Sequence, residues 1–326
     1  MILSYAFYEL EPISSLNAIS RPLPRKGALL KVSFEWGGTG YADCHPWPEL
    51  GDLSLAKQLM ELAQGNMTAL TRSSLWFASL DAKIRFEERG ALSSLNPQRS
   101  HLLVPDIFQL TPSIVEQMIE KGVTHVKLKM GRCIEHEVKY LHLLFYRTPL
   151  KLRLDFNETL TAQSCSLFLD AIATMRENID FIEDPFAFDI PQWIAIQKEG
   201  WMLACDRQAA IAADHPEAAA VLVIKPALHP FEDWKKKGGQ MHITTSYLGH
   251  PIGQVAAAYV ASQIDPSCAH VHGLLSHHVY RPTPFSRQLN WGSPFFLPPP
   301  GTGFGFDSEL EQIEWLPLSP FTIMQF

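Results

Sequence analysis

Several things are scarce or missing in this chain of 326 residues, and each absence narrows what it can be. No C-x-x-C pair occurs, and the five cysteines (Cys44, Cys133, Cys165, Cys205 and Cys268) are scattered and odd in number. That argues against a disulfide frame or a zinc knuckle and predicts reduced thiols in a cytoplasmic protein. Positive charge is in deficit: 27 Lys and Arg against 34 Asp and Glu give a formal net charge of -7. Nucleic acid and anionic membrane surfaces are therefore not expected partners. The opening "MILSYAFYELEP" lacks a basic region and meets Glu9 early, so it does not read as a signal peptide. No apolar run approaches the roughly 18 to 20 residues that a membrane span needs. A soluble protein acting on a small molecule is the expectation, of unknown oligomeric state.

What is present is a large apolar fraction, 46% of residues, enough for a substantial core. Residues 1–98 read as an α+β unit. "ILSYAFYEL", "ALLKVSFEW" and "YADC" are β-rich runs, with "GGTG" as the turn between the last two. Two helical patterns follow, "LSLAKQLMELAQ" with Asp52 as N-cap and "MTALTRSSLWFASLDAKIRFEER" ending at Gly90. "ALSSLNPQRS" reads as a linker. From residue 99 to about 281 short apolar runs alternate with helical patterns. The runs are "HLLVP", "THVKLKM", "KLRLDFN", "IDFIEDP", "WMLACD", "AVLVIKP", "MHITTS" and "AHVHGLL". Eight strands alternating with helices predict an α/β protein with a (β/α)8-type barrel, or alternatively a doubly wound open sheet. The Pro- and Gly-rich stretch from about 282 to 326 is expected to pack back on the first unit and complete an α+β capping domain. Within it, "GTGFGFD" lacks the following helix and glycine spacing of a phosphate loop and reads as a turn-rich packing segment.

Charge recurs where these runs end. Lys127 and Lys129, then Asp155, Glu183, Asp206 and Lys225 close five consecutive runs, and from Lys129 onward they lie 26, 28, 23 and 19 residues apart. Each gap is about one strand–helix unit, so all of them reach the same rim of a barrel, where such folds carry their active sites. Alternation along "THVKLKM" sends both lysines to one face, although two ammonium groups side by side repel. Three carboxylates on neighbouring strands explain that arrangement: they offset both charges. They are also hard oxygen ligands suited to Mg2+. A buried ion-pair network without a metal is the other reading of the same residues.

"VKLKMG", "LRLDFNE", "FIEDP", "ACDRQ" and "VIKPA" together resemble the successive signatures of the enolase superfamily, in its muconate-lactonizing subgroup. The resemblance runs along most of the chain and implies an enolase-like barrel with a capping domain. Within that superfamily the wording is most similar to the o-succinylbenzoate synthase group. This implies a Mg2+-dependent hydro-lyase of menaquinone biosynthesis, with Mn2+ as a possible substitute, acting on the anionic 2-succinyl-6-hydroxy-2,4-cyclohexadiene-1-carboxylate through an enediolate. The alternatives are an N-acylamino acid racemase or dipeptide epimerase on the same scaffold, and a catalytically silent binding barrel. The eighth run, "HVHGLLSHH", has no carboxylate with which to hold a substrate ammonium, as dipeptide epimerases of the family do.

The resemblance also implies roles. Asp155, Glu183 and Asp206 are the metal ligands; Lys129 is the base, tuned by Lys127; Lys225 is the cation across the barrel. Arg153, Asn157, Thr244, Ser246, His272 and Gly273 are expected around the substrate, with Arg153 alternatively deep in the barrel against another strand's carboxylate. Asp184 reads as a loop residue beside Glu183. The sequence departs from the family pattern at "GYAD", where Gly-x-Gly-Glu is usual, and at Arg207, where an acidic residue is usual. His270, His272, His277 and His278 with Cys268 make a histidine-rich cluster whose spacing fits no common zinc site.

Overall fold

The computed structural model describes residues 1–229 and 239–319. The chain opens with an antiparallel sheet. Strands β1 (Ile2–Leu10), β2 (Arg25–Ser33) and β3 (Thr39–Cys44) pair in sequence, and β2 and β3 form the hairpin expected at "GGTG". Helices α1 (Leu55–Ala63) and α2 (Ala69–Phe86) cover one face. Ser54, not Asp52, caps α1, its side chain accepting from the Lys57 N–H. Asp52 is engaged elsewhere, accepting from the Trp47 N–H at 2.8 Å and the Tyr247 hydroxyl at 2.9 Å.

The supposed linker ends in structure: Arg99–Ser100 is a short strand, β4. After it the parallel strands run β5 (Leu102–Val104), β6 (His125–Lys129), β7 (Lys151–Asp155), β8 (Ile179–Glu183), β9 (Leu203–Cys205), β10 (Val221–Ile224) and β11 (Met241–Thr244), each bonded to the next. The eighth run supplies β12 (Val271–His272), paired in parallel with β4. The Gly273 N–H donates to Thr244 at 2.9 Å, and the His101 N–H donates to His272 at 2.8 Å. Those bonds carry the sheet from β11 through β12 back to its first strand, so it curls into a ring. Helices α3 (Pro112–Glu120), α4 (Ile134–Phe145), α5 (Ala162–Ala171), α6 (Ile190–Lys198), α7 (Ala209–Ala212) and α8 (Pro251–Ile264) lie in the connections between strands.

Period-two alternation sorts the strand residues between two cores. Leu152, Leu154, Ile182, Leu203, Cys205, Leu222 and Ile224 pack outward against the helices. Phe181, Ala204, Val221, Val223 and Ile243 fill the interior. One step further along the same inward faces come Glu183, Asp206 and Lys225. The interior is thus an apolar plug with a charged layer above it.

The C-terminal stretch returns to the first unit, as far as residue 319. Strand β13 (Leu316–Pro317) adds to β1, and the Phe304 N–H donates to the buried Asp81 at 2.5 Å. Contrary to expectation a short helix, α9 (Asp307–Glu311), does follow "GTGFGFD", and its first residue, Asp307, pairs with Arg85. Residues 320–326 lie outside the described residues. The first unit meets the barrel along a buried seam. There Asp43 accepts from the His250 N–H at 2.8 Å and from the Tyr8 hydroxyl, which is also 2.9 Å from His45 Nδ1. A β-carbon at Gly249 would sit 2.4 Å from an Asp43 oxygen, so glycine is required for this approach. Among the described residues no helix is long and apolar enough to cross a membrane.

A candidate active site at the charged rim

The rim gathers the residues the sequence aligned. Lys127 lies 2.7 Å from both oxygens of Glu183 and 2.9 Å from Asp155 Oδ2. Lys129 also bonds Asp155 and reaches Asn157 Oδ1 at 3.4 Å, and Lys225 bonds Asp206. Lys129 on β6 stands in register with Asp155 on β7, whereas Lys127 stands opposite Arg153, and Asp155 opposite Glu183 on β8. Lys129 therefore has its counter-charge directly across the strand pair, while Lys127 reaches its own out of register, at Asp155 and Glu183.

All of these groups are at least nine-tenths buried except Asn157 and Lys225. Burial pushes carboxyls up and lysines down; opposite charge works against it. At Asp155 burial loses to Lys127 and Lys129, and the carboxyl is held well below its usual range. At Lys127 burial loses to Asp155 and Glu183, and the ammonium is held far above its usual value. Lys225 is raised by Asp206 in the same way. Burial and Asp155 together push Glu183 up to about 7, against the pull of Lys127.

Three buried carboxylates, Glu183, Asp184 and Asp206, bring ligand oxygens within 4.8 Å of one another. Hard, anionic oxygens at that spacing suit a divalent cation such as Mg2+. Asp184 enters this group in place of the expected Asp155. Its two oxygens accept the backbone N–H groups of Asp206 and Arg207, each at 3.1 Å, which pins the loop carrying Asp206. Arg207 pairs with Glu158 at 2.9 Å, giving that departure from the family pattern a partner.

A cavity opens above these groups. Lys127, Lys129, Asn157, Asp206, Lys225, Ser246 and Gly273 line it, as the sequence predicted for the rim. The expected ligands Asp155 and Glu183 are not in its lining, and neither are three of the predicted substrate contacts. Arg153 lies one inward step below Asp155 and is bonded to Asp180 at 2.7 Å, the deep placement that was its alternative. Thr244 and His272 belong to the wrong face: Ile243 points inward, so Thr244 points out and Thr245 takes the wall position. His272 Nδ1 accepts the Thr244 N–H at 3.1 Å, and its Nε2 lies 3.6 Å from Asp265. A slip of one residue reverses the facing of a strand side chain. The histidine cluster disperses: His277 turns to Gln254 at 3.2 Å and His278 to the Leu103 carbonyl at 2.8 Å.

Other walls had no signal in the sequence. Asn17, Trp47 and Leu50 come from loops of the first unit, and Tyr247 from the turn after β11. Trp47 donates its indole N–H to the Tyr247 carbonyl at 3.0 Å, tying the two sides together. The Lys225 ammonium lies 5.5 Å from the Tyr247 ring centre.

A curled parallel sheet under an antiparallel cap, with this rim, is the architecture of enolase-superfamily enzymes, and solved structures agree. The muconate lactonizing enzyme of Mycobacterium smegmatis, solved with muconolactone, superposes with a TM-score of 0.77 over 95% of this chain and 98% of its own, at 15% identity. The dipeptide epimerase of Enterococcus faecalis V583, solved with Mg and L-Leu-L-Tyr, gives 0.73 over 93% and 98%, at 16% identity. At such identities the likeness is one of fold. The family model described as O-succinylbenzoate synthase, N-terminal domain, matches residues 3–84. The o-succinylbenzoate synthase of Bdellovibrio bacteriovorus is 35% identical over 97% of this chain and 98% of its own. The chain belongs to the o-succinylbenzoate synthase family.

Proposed function

We propose that the protein is a cytoplasmic hydro-lyase of menaquinone biosynthesis that dehydrates 2-succinyl-6-hydroxy-2,4-cyclohexadiene-1-carboxylate to 2-succinylbenzoate. The arrangement that carries this reading is two lysines, Lys129 and Lys225, lining one cavity from strands on opposite sides of the ring, with acidic groups between them. Residues 1–98, completed by about 282–326, act as the cap over a barrel of 99–281.

Asp155, Glu183 and Asp206 would hold Mg2+, with Mn2+ as a substitute. The lysine contacts of Asp155 run through flexible stems and can be exchanged, whereas both Asp184 oxygens are committed to backbone N–H groups. The cation, when bound, supplies a Lewis acid for the substrate carboxylate. Lys129, released from Asp155 as a free amine, takes the proton from the carbon bearing that carboxylate. Asn157, 3.4 Å away, helps to place it. The C–H electron pair moves into the ring, the C6–O bond breaks, and Lys129 returns the proton to the departing hydroxyl. Water leaves and the ring becomes aromatic. Lys225, held charged by Asp206, faces the electron-rich ring from the other side.

Racemization of an N-acylamino acid would need Lys225 to donate a proton, and its bond to Asp206 favours keeping it. A silent binding barrel would have no use for a base. The deciding experiment follows ultraviolet absorbance on adding the cyclohexadiene substrate with Mg2+, beside a panel of N-succinyl amino acids. Dehydration is expected to be much the faster; a higher kcat/KM for any amino-acid derivative would sink this assignment.

A further inference from the structure

The cavity contains an imidazole that the proposed reaction leaves unused. His101 sits at the break between β4 and β5, buried, with Nδ1 3.0 Å from Arg153 Nη1. A guanidinium can only donate, so Nδ1 accepts and the ring proton sits on Nε2. Arg153 is itself fixed, donating to Asp180 at 2.7 Å and to the Val271 carbonyl at 2.6 Å. Burial, then Arg153 and Lys127, push the His101 pKa well below its usual value, so the ring stays a neutral donor.

The other edge of the ring faces Gly273. A β-carbon there would come within 2.6 Å of Cε1 and 2.8 Å of Nε2, and both residues line the cavity. Glycine at 273 is what lets the ring lie this close to the backbone, and His101 keeps a face in the cavity. Near it Thr245, Ser246, Gly273 and Ser276 line the cavity without a charged side chain, while Lys127, Lys129, Asp206 and Lys225 supply the charge elsewhere in the lining. A dianion with its first carboxylate among the charged groups has neutral donors within the same cavity for its second.

Resting on the dehydratase reading, we infer that His101 donates its Nε2–H to the succinyl-arm carboxylate, and that the chain Asp180–Arg153–His101 selects substrates carrying a second carboxylate. Hydrogen bonds to charged groups are worth enough to change affinity by about 10- to 100-fold.

The test measures binding of 2-succinylbenzoate and of 2-butanoylbenzoate, whose arm ends in methyl, to the full chain with Mg2+. The wild type is expected to prefer 2-succinylbenzoate, and His101→Leu to lose about 10- to 100-fold for it alone. His101→Gln, which can place an N–H near the same point, is expected to recover most of that loss. Equal losses for both ligands, or no loss, overturn the inference. Should His101→Leu not fold because Arg153 loses one acceptor, the wild-type Nε2 proton resonance decides. It must move with 2-succinylbenzoate and stay with 2-butanoylbenzoate. A wild type that binds 2-succinylbenzoate yet fails to dehydrate the cyclohexadiene overturns the dehydratase reading and leaves the carboxylate seat standing. A wild type with no preference between the two ligands overturns the seat.

Discussion

At the rim, Asp155, Glu183, Lys127 and Lys129 are buried together; at the seam, His45 and His250 are buried against the half-buried Asp43 and Tyr8. At the rim Asp155 is held below its usual range and Lys127 above it, because each has a counter-charge in contact. At the seam burial meets no such partner. It pushes Asp43 up to about 7 and, with Arg25 and His45 adding to it, brings His45 and His250 down to about 3. Burial is thus overcome at Asp155 and Lys127, where counter-charges are in contact, but not at the seam nor at Glu183, which shares Lys127 with Asp155. Contact with opposite charge decides the outcome.

The largest effect to test this contrast is catalytic. Lys129→Ala is expected to lower turnover about 100- to 10,000-fold with the fold intact, and Lys225→Ala to remove nearly all of it. A folded Lys129→Ala enzyme keeping more than about a tenth of wild-type rate would show that Lys129 is not the base.

Next comes the rim's balance of charge. Lys127→Met strips the cation shared by Asp155 and Glu183 and is expected to cost about 3 to 5 kcal/mol in metal-free protein. Urea denaturation measures it, and added Mg2+ should recover part of the loss. No loss would mean that the rim does not depend on its counter-charges.

Asp155→Asn is expected to weaken Mg2+ binding more than Asp184→Asn does, the latter by roughly tenfold through the Asp206 loop. Calorimetric titration distinguishes them, and the reverse order would exchange their roles.

Smaller effects test the seam. Unfolded histidine takes a proton near its ordinary value, whereas His45 and His250 do so in the folded state only near 3. Protons therefore favour the unfolded chain, and stability falls as pH drops from about 6.5 towards 3. His45→Gln is expected to flatten that fall. Asp43 acts in the opposite sense. Its proton is kept to about 7 when folded, so its contribution is full below about 4 and is lost as pH rises through 7. Asp43→Asn is expected to reduce the decline between pH 6.5 and 7.5. An unchanged slope in either variant would mean that the seam carries more charge than its burial allows.

Strand order and the charged rim were legible because both are periodic. A two-residue period fixes which side chains share a face, and a strand–helix unit of nearly constant length brings Lys129, Asp155, Glu183, Asp206 and Lys225 to one end of a ring. That much the sequence determined by itself. Height within the barrel, and the face taken at the last residue of a strand, were decided only by the folded chain. Arg153 shares a face with Asp155 yet lies a layer deeper, and Thr245, not Thr244, reaches the cavity. The remaining walls have no periodic signal at all. Asn17, Trp47, Tyr247 and His101 meet through packing of the cap on the barrel and closure of β12 on β4. Such contacts join residues as far apart as Trp47 and Tyr247, and no local pattern encodes them.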